Sequence, residues 1–72
     1  MRYDVPKFEN IRNLRIDRGY TQKQVAEYLN IKQNTYSQYE NGQRQLPIDI
    51  LIKLAQFYNV STDYILGISK ER

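Results

Sequence analysis

Five polar residues in the middle of the chain would share one side of a helix. With Gln33 at zero and a step of about 100° per residue, Gln33, Ser37, Asn41, Asn34 and Gln38 fall at roughly 0°, 40°, 80°, 100° and 140°. Tyr39 and Tyr36 fall at roughly 240° and 300°, toward the opposite side. Glutamine and asparagine amides each carry a donor beside an acceptor. That pair matches the N6/N7 edge of adenine in the major groove of DNA. Short polar side chains also let a helix sit deep in the groove. A helix face that is merely solvated favours Lys and Glu, because Asn and Ser are poor helix formers. On these residues alone two readings stay open: a base-reading face and a neutral polar surface.

Other chemistries are poorly supplied. The chain has no histidine and no cysteine. A zinc or other transition-metal site would have to use carboxylates alone, so no metal and no cofactor are expected. The usual general base is missing, and no nucleophile–base pair or phosphate-cradling loop is visible, so the chain is not expected to be an enzyme. Without cysteine there is no disulfide, which fits a reducing compartment. The N-terminal residues lack an apolar stretch, and no run of about 18 apolar residues occurs anywhere. Neither a signal peptide nor a membrane span is expected, and a cytoplasmic location is.

The formal net charge of the 72 residues is +3. The excess is uneven: +2 over residues 1–20, +1 over 21–45 and zero over 46–72. A phosphate-facing surface on the first two thirds is compatible with that pattern.

The elements that must position the polar face are short helices. Pro6, Gly19, Asn30, the Asn41-Gly42 pair, Pro47, Asn59 and Gly67 punctuate five segments. None shows sustained alternation with a period of two. The first helix is predicted over about 7–18, with Pro6 at its entry, Gly19 at its stop and Phe8, Ile11 and Leu14 on one face. The second is predicted over Gln22–Leu29. Thr21 caps it, Val25, Ala26 and Leu29 make its buried stripe, and Asn30 ends it in a left-handed conformation. The third runs over about 33–41 and Gly42 closes it. Tyr36 and Tyr39 are assigned to packing. The fourth runs from 47 or 48 to 58. Its polar residues Asp49, Lys53 and Gln56 occupy an arc of only ~60°, so it is expected to be the central core helix. The fifth is Thr62–Leu66, capped by Ser61 and closed by Gly67. One domain is expected over 1–72, with a core at about 7–67, an N-terminal arm 1–6 and a tail 68–72.

The second and third helices, joined by a short turn, read as a helix-turn-helix. Residues 22–39, QKQVAEYLNIKQNTYSQY, resemble that motif in the phage repressor and Cro family, also called the xenobiotic-response-element family. The resemblance extends over about 8–67. Its marks are Ile11-x-x-Leu14-Arg15, Thr21-Gln22, Val25-Ala26, Tyr39-Glu40-Asn41-Gly42, Leu54-Ala55 and Val60-Ser61-x-Asp63-Tyr64. No single mark is specific, but the ordered set at these spacings is. It implies an all-α, compact five-helix, lambda-repressor-like DNA-binding domain. It also implies roles. Gln33, Asn34, Ser37 and Gln38 would meet base edges. Gln22 would hold a DNA phosphate at the start of the second helix, with help from free backbone N–H groups. Asn41 and Arg44 would contact phosphates at the flanks, and Lys32, just before the third helix, would meet a phosphate or a base. Arg15 and Glu40 match a structural ion pair that joins the first helix to the third. Three departures are visible: Asn30 in place of the usual turn glycine, Tyr36 in place of Ile or Val, and Pro47 one residue late.

The expected function is a double-stranded-DNA-binding transcriptional regulator, a repressor acting as a dimer on a pseudo-palindromic operator. One recognition helix reads only a few base pairs, so a homodimer on half-sites about one turn apart is expected. Tyr64, Ile65 and Ile68 are the expected interface, with Leu66 assigned to covering the fourth helix. No effector domain is expected in 72 residues. Regulation is then expected through protein level, cleavage or a protein partner such as a toxin or anti-repressor. A DNA-binding antitoxin and a protein-interaction module of the same fold are the alternatives. The module would have lost the polar groove-facing side that this chain keeps.

Overall fold

The computed structural model describes residues 7–72, and the N-terminal arm 1–6 with Pro6 lies outside the described residues. Five helices follow in order: α1 (Glu9–Asp17), α2 (Gln22–Leu29), α3 (Gln33–Glu40), α4 (Ile48–Tyr58) and α5 (Thr62–Leu66). No strand occurs among the described residues. The all-α, five-helix expectation is met.

The helix ends follow their capping residues. Thr21 and Gln24 form a reciprocal capping box at α2. The Gln24 N–H donates to Thr21 Oγ1 at 3.1 Å, and the Thr21 N–H donates to Gln24 Oε1 at 2.8 Å. Asn30 ends α2 at φ 59°, ψ 44°, so an asparagine supplies the left-handed turn between the two helices. At α5 the Tyr64 N–H donates to Ser61 Oγ at 3.0 Å. α1 starts two residues later than its apolar spacing suggests. Phe8 stands at its N-cap with extended backbone and no side-chain cap, so no polar residue marks the boundary.

The core draws on every helix. Ile11 and Leu14 from α1, Val25, Ala26 and Leu29 from α2, and Tyr36 and Tyr39 from α3 are buried. They meet Ile50, Leu54, Ala55 and Tyr58 of α4 and Ile65 of α5. Burying such a Leu or Ile side chain contributes about 1.5–3 kcal/mol. α2 packs chiefly on α3, α1 on α5 and α3, and α4 on α5 and α2.

Two expectations change here. α4 is less enclosed than its composition suggests: Ile48 and Ile52 are 74% and 46% exposed, because only its other face meets α2 and α5. Ile65 was expected at a dimer interface but is 1% exposed inside the core of a single chain, so it has no surface to give a partner. The residue of α5 that covers the core is Ile65, while Leu66 is only half-buried. Of the expected interface, Tyr64 is half-buried and Ile68 is 74% exposed.

Candidate nucleic-acid interface

The geometry of α3 is set by a carboxylate beneath it. Glu40 closes the helix and is 2% exposed. Arg15 of α1 reaches it with a two-pronged contact, Nε to Oε2 at 2.7 Å and Nη2 to Oε1 at 3.2 Å. The same guanidinium donates through Nη1 to the Tyr20 carbonyl at 3.1 Å. Gln22, the first residue of α2, donates through Nε2 to Glu40 Oε1 at 3.2 Å. One buried carboxylate thus joins α1, α2 and α3. Burial alone would push its pKa up. Arg15, then the nearby Tyr36 hydroxyl and the Gln22 amide, reverse that and hold Glu40 below the usual carboxylate value. That hydroxyl approaches the carboxylate without meeting hydrogen-bond geometry. The Arg15 guanidinium is raised above its usual value, chiefly by its hydrogen bond to Glu40.

Two tyrosines complete this layer. Tyr36 and Tyr58 are fully buried, and neither hydroxyl has a hydrogen-bond partner among the described residues. Burial, then the Glu40 charge, pushes the Tyr58 phenol up to about 12 and the Tyr36 phenol higher still. Both stay neutral at ordinary pH. Tyr36 therefore packs, as expected, and does not face outward for stacking.

The opposite side of α3 is open. Gln33 and Asn34 are exposed, and Ser37 and Gln38 are half-buried. Gln22, Gln33, Asn34 and Ser37 line one open concavity of about 420 Å³ between the start of α2 and α3. The structure thus brings together the expected phosphate residue of α2 and three of the four expected base-reading residues. Gln38 does not line that concavity. Asn41 donates through Nδ2 to Ser37 Oγ at 3.3 Å, which leaves the Ser37 hydroxyl proton available. Lys32 and Arg44 are exposed at either end of α3. The N–H groups of Gln22 and Lys23 belong to the first turn of α2, where the helix has no internal acceptors for them. They point the same way as its positive dipole end.

The Gln22–Glu40 contact was not anticipated. It joins residues 18 positions apart, and only the place of Gln22 at the start of α2 was visible in the sequence. One N–H of the amide is engaged and the other remains. Arg18 is a second unanticipated structural residue. Its Nη2 donates to the Tyr58 carbonyl at 3.0 Å, satisfying the end of α4, and its guanidinium lies 5.9 Å from the Tyr58 ring centroid. Of the arginines behind the basic excess, Arg15 is therefore turned inward, while Arg18 stays exposed with one nitrogen engaged. Among the described residues no group of carboxylates could hold a metal ion. No described helix is long and apolar enough to cross a membrane.

Comparison with known proteins identifies the fold. The helix-turn-helix family model matches residues 11–65. The chain is 49% identical over 59 residues to the HTH-type transcriptional regulator ImmR of Bacillus subtilis, covering 82% of this chain and 46% of ImmR. It is 40% identical over 50 residues to the cryptic phage CTXphi transcriptional repressor RstR of Vibrio cholerae, covering 69% of this chain and 45% of that one. A crystal structure of a transcriptional regulator from Listeria innocua superposes with a TM-score of 0.81 at 30% identity, over 97% of this chain and 65% of the other. The chain spans about half the length of the curated relatives it matches.

Proposed function

The chain belongs to the helix-turn-helix family, and from that membership we propose that it is a sequence-specific regulator of transcription that lays α3 in the major groove of double-stranded DNA. The observation that carries the reading is the exposed amide pair Gln33 and Asn34, which shares one open concavity with Ser37 and with Gln22. Gln33 and Asn34 are exposed on the side of α3 away from the core that fixes the helix. Gln33, Asn34, Ser37 and Gln38 read base edges through paired donors and acceptors. Gln22 holds a backbone phosphate with its second amide proton and the free N–H groups of α2. Lys32, Asn41 and Arg44 contact phosphates on either side and set the register.

The regulator acts as a repressor by covering a promoter, a reading supported by the phage repressor among its relatives. It binds as a homodimer on two half-sites about one helical turn apart. Tyr64 and Ile68 form the contact between copies, and Ile65 does not. No catalysis and no cofactor are involved.

Selection of binders from a random duplex library tests this. The wild-type chain is expected to enrich a two-fold motif, and the Gln33→Ala/Asn34→Ala/Gln38→Ala variant is expected to enrich none. Equal, weak, salt-sensitive binding by both would reduce the interaction to phosphate attraction and end the groove-reading proposal.

A further inference from the structure

We propose that a hollow beside the end of α3 takes one phosphate of the DNA backbone, with Arg12 of α1 as its charged contact. This extends the contact surface beyond the helix-turn-helix and rests on the reading that α3 lies in the groove.

The hollow is lined by Lys7, Glu9, Arg12, Asn13 and Asn41 and holds about 150 Å³. Asn41 is the C-cap of α3, so the hollow opens where the recognition helix ends. Its walls are fixed against each other. A Cβ on Gly42 would come within 3.0 Å of the Lys7 Cβ, and Gly42 sits at φ +71°. Glycine suits both the positive φ and the close approach of the chain before α1 to the loop after α3.

Charge and donor geometry point to an oxyanion. Lys7 lies 3.9 Å from Glu9, and both are exposed, so these two charges largely offset each other. Arg12 then leaves the hollow with a net positive charge. Arg15 is committed to Glu40 and Arg18 to the Tyr58 carbonyl. Arg12 has no such internal partner among the described residues, and it is exposed. A guanidinium fork presents several N–H groups in a geometry that suits phosphate oxygens. The amides of Asn13 and Asn41 add neutral donors around it. Asn41 spends one N–H on Ser37 and keeps the other. Phosphates border the groove that α3 occupies, so a single phosphate is the ligand nearest to hand.

The test is a salt titration of the whole chain on two duplexes. One is recovered by the library selection, and the other is unrelated and of equal length. Arg12→Gln is expected to weaken both by a similar factor and to reduce the slope of log K against log salt by about 1. Glu9→Gln is expected to strengthen both, since it removes a repelling carboxylate. Both residues are exposed, and unchanged thermal unfolding of each variant confirms an intact fold. An unchanged slope for Arg12→Gln on both duplexes overturns the proposal. So does an altered base preference with the slope intact. If the wild type prefers neither duplex, base reading fails, while the slope on the unrelated duplex still decides the role of Arg12.

Discussion

Glu40 is a charge kept inside the protein, and its ionisation is tied to folding. Its pKa in the folded chain lies below the ordinary value, so folding holds the carboxylate form more tightly than the unfolded chain does. The stability this contributes is fully present above the unfolded value of about 4.3. It is lost as pH falls through the lower, folded value. Acid unfolding should therefore steepen below the usual carboxylate range. Urea unfolding followed across decreasing pH checks this: Glu40→Gln is expected to show a shallower loss of stability than the wild type over that window. Identical profiles would mean that other carboxylates govern acid sensitivity.

At the level of elements, the same group makes α1, α2 and α3 one unit. Removing Arg15 leaves a buried carboxylate with only the Gln22 amide as a close donor. Arg15→Ala is expected to cost about 3–5 kcal/mol, whereas replacing both Arg15 and Glu40 by Met should cost much less. Denaturant midpoints of the two variants test the difference, and equal losses would show that packing, not the stranded charge, dominates. That loss is a large share of the roughly 4–11 kcal/mol expected for a chain of this size. Much of this architecture was legible beforehand. α2 and α5 start where Thr21 and Ser61 announce them, and Asn30, Asn59 and Gly67 mark ends through their tolerance of positive φ. The polar arc of α3 followed from helical periodicity alone. α1 was misjudged because Phe8 offers no capping signal. Ile65 was misassigned because α5 spans only five residues, too few for periodicity to say which apolar side chain turns inward. The Gln22–Glu40 bond was illegible, since it depends on how two helices cross.

For the whole molecule, the exposed apolar residues bear on assembly. Ile68 is 74% exposed just beyond α5, beside half-buried Tyr64. If two copies meet there on DNA, Ile68→Asp is expected to weaken binding to a two-half-site duplex at least tenfold. Binding to a single half-site and thermal stability should change little. Equal weakening on both duplexes would place the dimer contact elsewhere. α3 itself divides its duties by side: Tyr36, Tyr39 and Glu40 hold it to the body, while Gln33 and Asn34 are exposed. Substitutions at those two outer positions should cost only a few tenths of a kcal/mol. If α3 reads bases as proposed, gene copies descended from this chain can diverge in the DNA they recognise, one exposed residue at a time, without passing through an unfolded ancestor.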